Sequence, residues 1–157
     1  MSDPAAMEGG WLGRTTIRVR FHELDPYGHV NHGVYLNYFE TARTELLDEL
    51  GFGLDVLKDR GLAIVVVEAN IRFRAPAEAG DLLTVETRVT EVRRASAWWH
   101  QRLTRDGTVL AELDVRAAMT TLDGRATAAP DDLRAAIQRE PRPAPVEDGT
   151  GSAVRAE

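Results

Sequence analysis

The sequence predicts an α+β domain in which an antiparallel sheet of about five strands packs on one long helix. Three observations carry this. A single amphipathic segment at helical spacing lies in the first third of the chain, several later segments alternate or run apolar as strands do, and an Asp-Gly pair joins two of these.

Thr15 to Phe21 alternates, placing Ile17, Val19 and Phe21 on one face and Arg18 and Arg20 on the other, which predicts the first strand. His22 to His32 contains Pro26, Gly28 and Asn31 and reads as a loop. From Val34 the apolar residues Tyr35, Tyr38, Phe39, Ala42, Leu46 and Leu50 recur at helical spacing, with Gly51 closing the helix. A short helix is expected at Leu54 to Arg60, then strands at Leu62 to Phe73, Leu82 to Val92 and Ser96 to Leu103. Asp106-Gly107 is a hairpin turn into a last strand, Val109 to Thr121. Pro130 punctuates, and Asp131 is placed to cap a final helix over Leu133 to Arg139. One long helix leaves part of such a sheet uncovered, which predicts oligomerisation.

A chain of 157 residues with 43% hydrophobic and 28% charged content suits one domain. Residues 14–139 are expected to form it, with residues 1–13 and 140–157 disordered because they lack apolar periodicity. No run is long enough to cross a bilayer and no signal pattern opens the chain, so a cytoplasmic protein is expected. A net charge of −6 argues against nucleic-acid binding. With no Cys, any catalysis must use carboxylate, imidazole, hydroxyl or backbone groups.

The chemistry concentrates between Phe21 and Arg43, FHELDPYGHVNHGVYLNYFETAR. Asp25 sits in a loop seven residues before His32, and His32, Gly33 and Val34 form the first helical turn. That turn has unpaired N–H groups and the positive end of the helix dipole, which together can hold a carbonyl oxygen as it becomes an oxyanion. Asp25 is then placed to attack the carbonyl or to activate water. A thioester suits so sparse a site, because a thiolate whose conjugate acid has a pKa near ~8.5 leaves with little help. Neither G-x-S-x-G nor a Ser-His-Asp order is present.

This segment resembles the active-site stretch of the 4-hydroxybenzoyl-CoA thioesterase family of hot-dog proteins. Asp25, Gly28, His32, Tyr35 and Phe39-Glu40-Thr41-Ala42-Arg43 match the family's pattern, and IRFRAPAEAGD, Ile71 to Asp81, resembles the strand leading into its P-A-x-x-G-D turn. Later strands and LDGRATAAPDDLRAAI extend the similarity over nearly all of residues 14–139. The resemblance implies a sheet wrapped around the long helix, homodimers able to pair into homotetramers, and active sites at the subunit interface. It implies an acyl-CoA or acyl-carrier-protein substrate and no cofactor or metal. Asp25 becomes nucleophile or general base, the backbone N–H groups near His32 and Gly33 polarise the carbonyl, and the His32 side chain orients substrate or water. His29 and Asn31 depart from members with apolar residues there and resemble the G-H-V-N-H variety associated with fatty acyl thioesters.

Plainer readings stand beside these. Asp25-Pro26 is an ordinary turn opening, and Asn31 a plausible helix cap. His22, His29 and His32 lack the further ligands of a zinc site. Glu40 and Arg43 are spaced for a simple i,i+3 ion pair. Tyr35, Tyr38 and Phe39 read as core, with Tyr35 also able to line the site. Trp98 and Trp99 must face opposite sides of a strand. Arg72, Arg74, Arg93 and Arg94 are candidates for gripping coenzyme A phosphates, although strand and turn arginines are commonly solvated. The competing functions are a hot-dog hydratase or dehydratase, disfavoured by the Asp25 to His29 spacing and the missing G-D-x-N-P context, and a non-catalytic acyl-CoA or acyl-carrier binding module.

Overall fold

The computed structural model describes residues 10–138. Five strands, β1 (Gly13–Arg18), β2 (Leu62–Phe73), β3 (Leu82–Val92), β4 (Ser96–Arg105) and β5 (Thr108–Thr121), form one sheet in the order β1-β3-β4-β5-β2. Every neighbouring pair is antiparallel. The helices are α1 (His32–Glu49), α2 (Leu54–Asp59) and α3 (Asp131–Ile137). The β4–β5 hairpin turns through Asp106 at φ 49° and Gly107 at φ 79°, the left-handed pair a type I′ turn demands.

The strand alternation decides which side the helix covers. Ala111, Leu113, Val115, Ala117 and Met119 of β5 are buried, as are Ala97, Trp99 and Leu103 of β4 and Leu83 and Val85 of β3. Tyr35, Tyr38, Phe39, Ala42, Leu46 and Leu47 of α1 join them in one core cluster. Phe39 is fully buried; removing a side chain of this size from water contributes about 1.5–3 kcal/mol. The opposite face carries polar pairs across the strands: Glu86 with Arg14 and Arg102 directly opposite it, Glu112 with Arg74, and Asp114 with Arg72 and the His100 Nδ1. Trp98 lies on this outer face beneath the Arg116 guanidinium, and Trp99 is buried on the inner one.

The folded unit starts earlier than residue 14. Trp11 is buried, stacks on His100 with ring centroids 5.9 Å apart, and lies under the guanidinium groups of Arg88 and Arg102. Leu12 donates its N–H to the Thr87 carbonyl at 2.8 Å, and a Cβ on Gly13 would come within 2.8 Å of Leu46 Cδ1, so any larger residue there would require the Leu46 side chain to shift. Residues 1–9 and 139–157 of the segments expected to be disordered lie outside the described residues, as does Arg139 at the expected end of the last helix.

Two local expectations are corrected. The alternation does not carry Phe21 into the core: β1 ends at Arg18, Phe21 opens a 3-10 turn to Glu23, and its ring is 86% exposed. Asp131 does not cap α3, because it is already the first helical residue; Pro130 occupies the cap position and offers no side-chain acceptor.

Candidate active site

Between the 3-10 turn and α1 the chain doubles back on itself. Leu24 and Val30 form an antiparallel bridge, Asp25 N–H donates to the His29 carbonyl at 2.7 Å, and Asn31 N–H donates to the Glu23 carbonyl at 2.9 Å. Residues 23–25 therefore lie alongside residues 29–31, which places Asp25 within one strand spacing of the segment entering α1. Gly28 closes the turn at φ 79°, a left-handed conformation that suits glycine.

Within this loop Asp25 is half-buried, and its Oδ1 accepts from Tyr27 N–H at 2.8 Å and His29 N–H at 3.1 Å. Its Oδ2 has no hydrogen bond among the described residues. One oxygen is held by the backbone and the other is left for chemistry, so turn residue and reactive carboxylate are here the same group.

Asn31 caps α1, its Oδ1 accepting from Gly33 N–H at 2.9 Å. This corrects the expectation that Gly33 N–H polarises a substrate, because that donor is taken by the cap. Val34 N–H donates to the Asn31 carbonyl, which leaves the His32 N–H as the first-turn donor without a protein partner among the described residues. The His32 side chain is exposed and that of His29 half-buried.

The loop rests on the turn after β2. Val30 N–H donates to the Ala77 carbonyl at 2.8 Å, His29 bridges to Glu78, and Ala77 N–H donates to the Tyr35 hydroxyl oxygen at 3.0 Å. Tyr35 is buried with its ring edge-on to Phe73 at 5.2 Å, so it clamps the two loops together. Asp81 fixes the same turn, accepting from Glu78 N–H at 2.9 Å and from Arg105 at 2.5 Å. Burial pushes the Asp81 carboxyl up, but these donors outweigh it and hold the group below its ordinary value.

Two contributors escape a reading of the sequence. Glu23 Oε1 accepts from Arg20 N–H at 2.7 Å and from the Tyr38 hydroxyl at 2.9 Å, tying the 3-10 turn to α1. Burial and the Glu23 carboxylate push the Tyr38 hydroxyl well above its usual range, keeping it a neutral donor. Position thirty-eight carries a helical-spacing signal, but nothing local in the sequence points Glu23 at it.

The four candidate phosphate-gripping arginines are not gathered into one cradle. Arg72 lies 3.8 Å from Asp114 and Arg74 2.9 Å from Glu112, whereas Arg93 lies 2.7 Å from Glu91 in the β3–β4 turn, next to Arg94. Arg72 is level with Glu112 of β5 and the β3–β4 turn with Ala117, roughly 17 Å further along the strand at ~3.3 Å per residue. Arg43 does not form the expected ion pair with Glu40; its Nη1 donates to Gln101 Oε1 at 2.7 Å across the core. Among the described residues no three His, Asp or Glu side chains converge as metal ligands would, and no helix is long and apolar enough to cross a membrane.

Known proteins share both pattern and fold. The acyl-CoA thioesterase YbgC of Haemophilus influenzae is 38% identical over 123 residues, covering 77% of this chain and 90% of that protein. The chloroplastic acyl-acyl carrier protein thioesterase ATL2 of Arabidopsis thaliana is 32% identical over 92 residues, 59% of this chain and 49% of that protein. Among solved structures, the hypothetical protein TT1821 of Thermus thermophilus superposes with a TM-score of 0.75 at 35% identity, covering 79% of this chain and 95% of that one. The sheet wrapped around α1 is the hot-dog fold. A family model described as the thioesterase-like superfamily matches residues 19–137, a span that holds the Asp25 loop, α1 and the turn that braces them, and the chain belongs to that superfamily.

Proposed function

We propose that this protein hydrolyses an acyl thioester to a free acid and a thiol, with Asp25 as nucleophile or general base and the entrance of α1 as the oxyanion site. The observation that carries this reading is the anchoring of Asp25 by one oxygen beside a helix start whose His32 N–H is unpartnered. As general base, Oδ2 takes a proton from water while the water oxygen bonds to the acyl carbon. As nucleophile, Oδ2 bonds to that carbon itself and water then cleaves the anhydride. In both routes the carbonyl oxygen gathers negative charge opposite the His32 N–H, and the C–S bond breaks to release thiolate, which takes up a proton from solvent.

The thiol carrier is coenzyme A or an acyl carrier protein, the two substrate classes that the names of YbgC and ATL2 print. Of the arginines, Arg94 is the candidate with no ion pair among the described residues; Arg72, Arg74 and Arg93 already face carboxylates. His29, His32 and Tyr35 border the acyl carbon on this reading. The site is completed by a second copy of the chain. Its support is β2, an edge strand with Val65, Val66 and Val67 between 40% and 53% exposed and Phe73, next to Tyr35, 50% exposed.

The test is Asp25→Asn, which keeps an Oδ1 acceptor for Tyr27 and His29 and replaces only Oδ2. Thiol release from an acyl-CoA panel should fall by ~10²–10⁴-fold with the melting temperature unchanged. Undiminished turnover in the folded variant removes Asp25 from the chemistry.

A further inference from the structure

Asp25 keeps its hydrogen bonds inside its own turn. Among the described residues its Oδ1 accepts from Tyr27 and His29, its N–H donates to His29 and its carbonyl accepts from Gly28 N–H, so none of these bonds reaches α1. The distance from Oδ2 to the His32 N–H is therefore set by whatever ties the loop to the helix. The arm of residues 29–31 is tied through Ala77 to the Tyr35 hydroxyl. The arm that carries Asp25 has a separate tie.

That tie is Glu23, two positions before Asp25. Its Oε1 accepts from the Tyr38 O–H at 2.9 Å and from Arg20 N–H at 2.7 Å, while its carbonyl accepts from Asn31 N–H at 2.9 Å. One residue thus joins the start of the 3-10 turn, the helix cap and the body of α1. Tyr38 stands about 9 Å along the helix axis from His32 at 1.5 Å per residue, so the grip lies well above the entrance. Its ring is buried and lies edge-on to Tyr35 with centroids 6.3 Å apart, which denies it room to follow a displaced carboxylate. Because burial and Glu23 keep the hydroxyl protonated, the donor persists across the pH range of an assay.

We infer that Tyr38 and Glu23 are a positioning pair for hydrolysis at Asp25, holding its loop against α1 so that Oδ2 and the His32 N–H address one acyl carbon together. The inference rests on the hydrolytic reading and adds to it two residues that touch neither substrate nor the reacting atoms. A misplacement of about 1 Å can cost about 10²-fold in rate, so a single hydroxyl can matter at this remove. A positioning pair costs kcat and spares KM. A purely structural pair costs melting temperature and leaves the turnover of folded protein alone.

The experiment measures kcat and KM for the full-length protein on an acyl-CoA panel, well below the melting temperature. Tyr38→Phe should lower kcat about tenfold, by one factor across chain lengths, with KM within about twofold. Glu23→Gln keeps an Oε1 acceptor for both donors and should hold kcat within about threefold, whereas Glu23→Ala should fall as Tyr38→Phe does. The double variant Tyr38→Phe/Glu23→Ala should fall no further than Glu23→Ala, since both remove one bond. In an Asp25→Asn background Tyr38→Phe should cost nothing more. Unchanged kcat in folded Tyr38→Phe overturns the inference, as does a rise in KM in place of the fall in kcat. Glu23→Gln as inactive as Glu23→Ala overturns it too, by making the Glu23 carboxylate itself a reacting group. Should Tyr38→Phe fail to fold, equal kcat for Glu23→Ala and the unmodified protein overturns the pair. Full turnover by Asp25→Asn overturns the hydrolytic reading and this inference with it; loss of turnover there without loss in Tyr38→Phe overturns this inference alone.

Discussion

The two halves of α1 solve different problems with the same backbone. At the entrance, Asn31 and Asp25 are satisfied by N–H groups two to four residues away, and the structure is a short polar loop leaning on the start of a helix. Further along, Arg43 and Phe39 meet Gln101, a buried residue brought from the middle of the sheet: Arg43 donates to its Oε1, and its Nε2 donates to the Phe39 carbonyl at 2.9 Å and to Thr87 Oγ1 at 3.0 Å. The first half is built locally and can be tuned by single-residue changes. The second is built by the fold, and disturbing it disturbs the core.

That contrast can be broken in three places besides Asp25. The largest effect is expected from Gln101→Leu, which keeps most of the volume but strips partners from Arg43, Thr87 and the Phe39 carbonyl; denaturant unfolding should show a loss of about 1–3 kcal/mol or more. A loss within about 0.5 kcal/mol would show that the second half is as locally determined as the first. Asn31→Ala comes next, at about 1 kcal/mol, and should lower kcat along with stability because the first turn carries the oxyanion donor. If stability falls and turnover does not, the helix entrance is scaffold alone. The smallest effect is a pH dependence. Asp81 has a folded pKa below its ordinary 3.8, so its contribution is fully present above that value and is lost as pH falls through the lowered one. Melting temperatures of the unmodified protein and Asp81→Asn should differ from pH 7 down to the ordinary carboxylate value of 3.8 and converge only as the pH falls below the lowered folded value.

The same division explains what the sequence discloses. The cap at Asn31, the turn at Asp25 and the long helix are visible because their determinants lie within a few residues, where spacing maps onto geometry. Tyr35 bound to Ala77, Tyr38 bound to Glu23 and Arg43 bound to Gln101 are separated by 42, 15 and 58 positions, and only the closed fold brings them together. Arg43 reads as a partner for Glu40 because periodicity knows only the neighbours on its own helix. Phe21 reads as core because alternation cannot see Val19 N–H donating to the Asp81 carbonyl, after which the chain turns away. Trp11 reads as part of a disordered N-terminus because the ring it covers, His100, lies nearly ninety positions later.

The uncovered rim at β2 ties the protein's fate to how much of it there is. Val65 to Val67 sit half in water on a strand whose outer hydrogen-bonding side has no partner strand among the described residues. If a second copy closes that side, folding and association share one equilibrium, and heat resistance climbs with concentration by mass action. A preparation diluted far enough would melt sooner and present a bare ladder of amides to any extended chain nearby, so its solubility and its activity would fade together.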